Sequence, residues 1–134
     1  SGGYVCCAAG DEPVGVDIEK KTDMKEKIAQ RFFTQEDNRR LLEAKPEEKK
    51  DLFFRMWSIK ESYIKFTGQG MTKGLSSFEI DWKINAVYEK EDSQPTAYFS
   101  EKDGISGYSF CVCFRTPGQE VVWRPMDAES PNIG

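Results

Sequence analysis

Residues 46–66 predict one long helix that is apolar on two sides, and this constrains the fold more than any other stretch of the chain. Pro46 suits its first turn, and Gly68 suits its end. At about 100° per residue, one apolar stripe recurs at spacings of three and four, as in an ordinary core-facing helix. This stripe consists of Leu52, Met56, Ile59, Tyr63 and Phe66. The other apolar side consists of Phe53, Phe54, Trp57 and Ile64.

Two charged residues, Glu61 and Lys65, lie within the second apolar side of this helix. A carboxylate among aromatic side chains is driven towards its neutral form unless a cation or hydrogen bonds hold its charge. Lys65 is four residues further along and could supply part of that charge as an (i, i+4) pair. From this stretch alone, a salt bridge at the edge of a buried helix remains as good an interpretation as a functional carboxylate.

The composition indicates a single packed domain over residues 1–134, and it does not suggest binding to nucleic acid. The nine Phe, five Tyr and three Trp argue against disorder. The formal charge of −4 comes from mixed signs, without a basic block. No apolar run reaches the roughly eighteen residues needed for a membrane-spanning helix. The chain contains no His, so acid–base chemistry would fall to Asp, Glu, Lys or water.

The cysteines form an adjacent pair and a C-x-C, and neither spacing suits zinc, whose paired ligands are usually separated by roughly two to four residues. They are Cys6, Cys7, Cys111 and Cys113. Both pairs lie in β-like apolar runs, so we interpret them as small buried hydrophobic residues. Free thiols fit a reducing compartment, and we expect a cytoplasmic protein.

Alternating apolar residues and turn signals predict an α+β fold, in which helices pack on one face of a small antiparallel sheet. The predicted strands are 4–9, 14–19, 78–82, 86–88, 96–100, 108–114 and a short edge strand at 121–123. The predicted shorter helices are 24–33 and 34–44. Thr22 or Asp23 would cap the first of these, and Thr34 opens a capping box for the second. The tail from about residue 125 is expected to fray.

Asp17 and Glu19 lie two residues apart in a predicted strand, and therefore on the same face of it. Two like charges so placed repel each other unless water or a cation surrounds them. With Glu61 they make a set of carboxylates without His or Cys, which suits Mg²⁺ or Mn²⁺ better than zinc. Lys60 and Lys65 flank Glu61 and could hold phosphate groups that such a cation binds.

Two motifs in this order resemble the signature of the 4′-phosphopantetheinyl transferases. Residues 15–19 read G-V-D-I-E and match G-[IV]-D-[IVL]-E, while residues 57–65 read W-S-I-K-E-S-Y-I-K and match W-x-x-K-E-[AS]-x-x-K. The R-F-F at 31–33 and the F-T-G-Q-G at 66–70 are also similar to the surfactin-synthetase-activating members. The resemblance covers most of residues 4–82, and the chain looks like the C-terminal half of a pseudo-twofold, two-half enzyme.

The resemblance implies transfer of the 4′-phosphopantetheine arm of coenzyme A to a serine of an acyl or peptidyl carrier protein, a holo-acyl-carrier-protein synthase activity. It also implies that three carboxylates hold Mg²⁺, or Mn²⁺, on the coenzyme A diphosphate: Asp17, Glu19 and Glu61. Lys65 would contact a phosphate, and Lys60 would add positive potential. Glu61 or a water on the metal would accept the serine proton.

A further acidic position of the family aligns with either Glu36 or Asp37. In surfactin-type members the first half supplies much of the adenine and 3′-phosphate pocket, so this chain would need that half or a second copy. We therefore expect the second apolar side of the long helix to be exposed and to mediate self-association. Two other interpretations stay open: a catalytically silent fragment or carrier-binding module, and an unrelated Mg²⁺-dependent nucleotide hydrolase, although no P-loop supports the latter.

Overall fold

The structure is a computed structural model that describes residues 12–102, 105–118 and 121–123. It confirms the α+β class, with an antiparallel sheet of five strands and helices packed on one face. The strands are β1 (Val14–Lys20), β2 (Phe78–Asp81), β3 (Ala86–Glu89), β4 (Ala97–Lys102) and β5 (Tyr108–Phe114). The helices are α1 (Glu26–Phe32), α2 (Gln35–Glu43) and α3 (Pro46–Thr67), followed by a short 3₁₀ helix over Gly70–Thr72. Within the described ranges, no helix combines the length and apolar character needed to cross a membrane.

Several sequence predictions fall at the ends of the chain. The strand at 4–9, the first cysteine pair and the tail from about residue 125 lie outside the described residues. The edge strand at 121–123 is wrong, because these three residues belong to no strand. The thiols of Cys111 and Cys113 are free and buried in β5, as expected of small hydrophobic residues.

The helix ends follow local chemistry in two of the three helices. In α2 the Thr34 hydroxyl accepts from the Asp37 N–H at 3.0 Å, and the Asp37 carboxylate accepts from the Thr34 N–H at 3.1 Å. In α3 Gly68 ends the helix with a φ of 74°, where glycine carries no steric penalty. The cap predicted for α1 is wrong. The Lys21 N–H still donates to the Gly107 carbonyl at 2.7 Å, so the chain leaves the sheet too late for Thr22 or Asp23 to begin a helix.

Among the described strands, β1 lies at one edge of the sheet, whose order is β1-β5-β4-β3-β2. It pairs only with β5 among the described strands, so that Asp17 lies opposite Cys111 and Glu19 opposite Ser109. The first and last described strands are therefore neighbours. This pairing fixes the register of the two acidic residues relative to the helical layer.

Helix α3 is buried on both apolar sides. Met56, Ile59 and Tyr63 of the core stripe are at most 1% exposed, as predicted. The expectation that the second side is exposed is wrong: Phe53, Phe54 and Ile64 are 1%, 6% and 7% exposed, and Trp57 is half-buried. Part of the cover is Phe33, between α1 and α2, whose ring stacks on Phe53 at 5.5 Å and meets Trp57 edge-on at 6.4 Å. The described residues thus cover most of this surface themselves, and self-association stays a prediction.

Strand β1 packs directly against the backbone of α3 at Gly15. A Cβ atom at this position would lie 2.0 Å from the Ser62 carbonyl oxygen and 2.3 Å from the Phe66 nitrogen. On the helix, the small side chains of Ser58 and Ser62 are fully buried. The absence of large side chains at this contact lets β1 approach closely, and it brings Asp17, two residues beyond Gly15, onto the same helix.

Candidate metal and diphosphate site

Four of the predicted site residues meet where β1 crosses the C-terminal half of α3. Asp17 and Glu19 project from β1, and Glu61 and Lys65 project from α3. Asp17 is 4% exposed, whereas Glu19 and Glu61 are half-buried. The Lys65 ammonium donates a hydrogen bond to Asp17 Oδ1 at 2.8 Å. The two motifs thus converge in space, although they are far apart in the sequence.

Negative charge is crowded and incompletely compensated at this position. The carboxyl groups of Asp17 and Glu19 are close enough to share a hydrogen bond when one of them is protonated. Asp17 Oδ2 is buried and has no hydrogen-bond partner among the described residues. A buried carboxylate oxygen without a donor is costly, and such an atom is a candidate position for an ion or an ordered water.

Burial raises the pKa of all three carboxyl groups, and nearby negative charge adds to the shift for Glu19 and Glu61. Burial, followed by the hydrogen bond and charge of Asp17 and the charge of Glu61, raises the pKa of Glu19 from 4.5 to about 8. Burial raises the pKa of Asp17, although its contacts with Glu19 and Lys65 oppose the shift. Burial and the charge of Asp17 raise the pKa of Glu61. Glu19 is therefore not fully ionised at neutral pH, because too little positive charge lies near it.

Among the described residues, Lys65 supplies the positive charge beside these carboxylates. Burial lowers its pKa, but the hydrogen bond to Asp17 and the nearby negative charges outweigh this, and the net shift is upward. Its side chain is nevertheless 54% exposed. Lys65 therefore stays protonated and keeps access to solvent.

The donor atoms fit a hard divalent cation, although they are not arranged around one. In the described part of the chain, no three acidic or thiol groups are clustered as a ready metal site. Lys65 already takes one oxygen of Asp17, so metal binding would need side-chain rotation and a new partner for this ammonium. The available donors are carboxylate oxygens, one of them orphaned, and this is the donor type that Mg²⁺ and Mn²⁺ prefer.

Lys60, which the resemblance implies adds positive potential near the phosphates, is buried and paired with Asp37 in the structure. Its side chain is 0% exposed, and its ammonium lies 2.9 Å from Asp37 Oδ2. The same ammonium donates to the carbonyls of Leu75 at 2.9 Å and Phe78 at 3.3 Å, and it lies 4.6 Å from the centre of the Phe78 ring. Burial lowers the pKa of Lys60, and the charge of Asp37 opposes that shift. Lys60 joins α3 to α2 and to the start of β2 instead.

The sequence left open whether Glu36 or Asp37 aligns with the further acidic position of the family. The structure buries Asp37 to 1% exposure, whereas Glu36 forms ion pairs with Arg39 and Arg40 on the outer face of α2. The capping box could have predicted which of the two is buried, because the third helical residue of such a box turns its side chain back towards the cap. That geometry points Asp37 inward and leaves Glu36 to the solvent.

Comparisons with known proteins identify the family. A family model described as the 4′-phosphopantetheinyl transferase superfamily matches residues 13–113. The chain is 36% identical over 121 residues to 4′-phosphopantetheinyl transferase Sfp of Bacillus subtilis, covering 87% of this chain and 53% of that protein. It is 35% identical over 119 residues to 4′-phosphopantetheinyl transferase psf-1 of Bacillus pumilus, covering 87% and 51%. The chain thus spans about half the length of the curated relatives it matches.

A solved structure supports the same assignment at the level of the fold. The crystal structure of Thermotoga maritima holo-[acyl-carrier-protein] synthase matches with a TM-score of 0.56 and 17% identity, over 77% of this chain and 62% of that chain. Together with the family model and the relatives, this confirms the resemblance that the two motifs predicted. The chain belongs to the 4′-phosphopantetheinyl transferase superfamily.

Proposed function

We propose that this chain forms the cation- and diphosphate-binding part of a 4′-phosphopantetheinyl transferase that acts on coenzyme A and a serine of an acyl or peptidyl carrier protein. The observation that carries the proposal is the convergence of the two family motifs. Asp17 and Glu19 from one motif lie beside Glu61 and Lys65 from the other, with Lys65 bonded to Asp17 at 2.8 Å. The names of the relatives support the reaction class.

Asp17, Glu19 and Glu61 would hold Mg²⁺, with Mn²⁺ as the alternative. Their oxygens match the preference of these cations, and the unpartnered Asp17 Oδ2 offers a donor that is already desolvated. A bound divalent cation would neutralise charge on the diphosphate of coenzyme A. Lys65 is protonated and half-exposed, so its flexible side chain suits a phosphate oxygen.

The reaction requires a group that accepts the proton of the serine hydroxyl. In the transfer, the serine oxygen forms a bond to the phosphorus that carries the pantetheine arm, and the bond from that phosphorus to 3′,5′-ADP breaks. Glu61 is half-buried, and its pKa is raised by burial and by the charge of Asp17. A bound cation would lower this pKa again, so Glu61 and a water on the cation are the two candidates for the proton acceptor.

The rest of the coenzyme A pocket would come from residues outside this chain, since the chain spans about half of its relatives. An N-terminal half or a second copy are the two possible sources. The free buried thiols of Cys111 and Cys113 agree with a proposed location in the cytoplasm. Because the chain spans only part of its relatives' length, one alternative function stays open: a carrier-binding module without activity of its own.

The proposal is tested by the mass of an apo-carrier protein incubated with the chain, coenzyme A and Mg²⁺. With the rest of the pocket supplied by an N-terminal half or a second copy, the wild type should add phosphopantetheine to the carrier. Glu61→Gln should slow the transfer by about 100-fold or more, because it removes a cation ligand and a candidate proton acceptor. Glu47→Gln, in the exposed first turn of the same helix, is the matched control and should react like the wild type. Equal rates for wild type and Glu61→Gln would contradict the assignment. A wild type that binds the carrier but never modifies it would favour the alternative.

A further inference from the structure

Lys65 places a positive charge beside the crowded carboxylates, but burial does not fix the position of its side chain. Of the ion pairs formed by described residues, only the pair with Lys65 involves Asp17. The Asp17 side chain is 5% exposed, whereas that of Lys65 is 54% exposed. The buried carboxylate is therefore anchored in the sheet, and the flexible member of the pair is the lysine.

A single ammonium leaves much of the charge at this position uncompensated. It bonds Asp17 Oδ1, while Asp17 Oδ2 has no partner in the described part of the chain. Glu19 and Glu61 take part in none of the described ion pairs. A divalent cation at Asp17 would supply more charge, but it would also repel the ammonium that lies 2.8 Å from the same carboxylate.

We propose that Lys65 is an exchangeable counter-ion, which pairs with Asp17 while no divalent cation is bound and transfers to the substrate diphosphate once a cation takes over Asp17. The inference rests on the function proposed above and adds a positioning role that couples two binding events. Cation binding releases the ammonium, and the released ammonium strengthens diphosphate binding. By linkage, diphosphate must in turn favour the cation.

The direction in which a Lys65 substitution changes the affinity for the cation separates this role from a structural one. If Lys65 holds Asp17 in the orientation that a cation needs, its removal should weaken cation binding. If Lys65 competes with the cation for Asp17, its removal should strengthen cation binding in the absence of diphosphate. In the second case the same substitution must weaken diphosphate binding in the presence of the cation.

The experiment is a calorimetric titration of the full chain with Mg²⁺, at alkaline pH so that protons do not compete for the carboxylates. Lys65→Met should bind Mg²⁺ about tenfold more tightly than the wild type, the scale of one charge-assisted hydrogen bond. Lys50→Met is the control for net charge, since Lys50 is exposed on the same helix about 22 Å away, at about 1.5 Å per residue. It should bind Mg²⁺ like the wild type.

A second titration uses methylenediphosphonate, a non-hydrolysable diphosphate, at saturating Mg²⁺. The wild type and Lys50→Met should bind this probe equally, and Lys65→Met should bind it about tenfold more weakly. Lys65→Arg should change the Mg²⁺ affinity in the opposite direction. A guanidinium pairs more strongly with Asp17, so Mg²⁺ should bind several-fold more weakly than to the wild type. This variant also keeps the test decisive if Lys65→Met fails to fold.

The outcomes separate the inference from the proposed function. If Lys65→Met binds the probe more weakly but binds Mg²⁺ no more tightly than Lys50→Met does, the exchange is overturned while a phosphate contact stands. If the wild type binds neither Mg²⁺ nor the probe, the proposed function itself fails. Tighter Mg²⁺ binding together with weaker probe binding in Lys65→Met supports the exchange.

Discussion

Gly15→Ala is expected to reduce the free energy of unfolding by about 3 kcal/mol or more, because the new methyl group has no space. Its Cβ would lie 2.0 Å from the Ser62 carbonyl oxygen and 2.3 Å from the Phe66 nitrogen. Both are backbone atoms of α3, so no side-chain rotation can relieve the contact. Strand β1 must move away from the helix, which would also carry Asp17 and Glu19 away from Glu61. Chemical denaturation measures the loss, and a Mg²⁺ titration should show weaker binding in whatever fraction stays folded.

Gly74→Ala is the matched control for this effect. A Cβ at Gly74 would meet nothing within 4 Å, and its φ is not in the left-handed region. We expect its stability to stay within about 1 kcal/mol of the wild type, with a small gain from the reduced freedom of the unfolded chain. If Gly15→Ala were as stable as Gly74→Ala, the close approach of β1 to α3 would be wrong.

Lys60→Met is expected to cost about 3–5 kcal/mol of stability, since it leaves Asp37 as a buried carboxylate without its counter-ion. The two side chains are 0% and 2% exposed and lie 2.9 Å apart. Met keeps the apolar stem of Lys60 and removes the ammonium, together with its hydrogen bonds to the Leu75 and Phe78 carbonyls. Thermal or chemical unfolding of the purified variant measures the effect.

The double variant Lys60→Met with Asp37→Asn shows whether the pair is the cause. The Asn oxygen still accepts from the Thr34 N–H, so the cap of α2 survives while the buried charge is gone. We expect the double variant to regain most of the stability that Lys60→Met loses. If the double variant were no more stable than Lys60→Met, the lost charge pairing would not explain the destabilisation. If Lys60→Met kept full stability and lost only diphosphate binding, Lys60 would be a phosphate ligand after all.

Local patterns predict the elements of this protein well, because their causes are local. Pro46 and Gly68 mark the ends of α3, and the capping box at Thr34 and Asp37 marks the start of α2. The core stripe of α3 follows from helical periodicity alone. The start of α1 was missed because Lys21 is held by the loop before β5, a contact that no local window contains.

The roles of the two lysines beside Glu61 could not be separated by sequence spacing. Lys60 and Lys65 both looked like phosphate ligands, yet Lys65 pairs with Asp17 of the candidate site and Lys60 pairs with Asp37. The difference depends on where α2 and β1 pack around α3, which is a tertiary property. The same applies to the second apolar side of α3, because Phe33, which covers part of it, lies in a different part of the sequence.

The convergence of the carboxylates also depends on long-range structure. The strand face shared by Asp17 and Glu19 follows from alternation, but their meeting with Glu61 needs β1 to pair with β5 and to pack on α3. Spacing alone left open whether water or a cation surrounds the two acidic residues of the strand. The family motifs associate the two segments directly, and in the structure these segments lie beside each other.

If the three crowded carboxylates bind a divalent cation, the release of protons from them on binding is the most direct evidence for it. The Glu19 pKa is raised to about 8, so the stability from its protonated form is present below its ordinary pKa of 4.5 and is lost as the pH rises through 8. Mg²⁺ needs the ionised form, so its affinity should rise with pH up to about 8 and then level off.

The measurement is calorimetric titration with Mg²⁺ near neutral pH, in buffers that differ in ionisation enthalpy. The wild type should release protons as Mg²⁺ binds, and Glu19→Gln should release fewer and bind more weakly. Mg²⁺ binding without proton release, or with equal release from Glu19→Gln, would contradict the account.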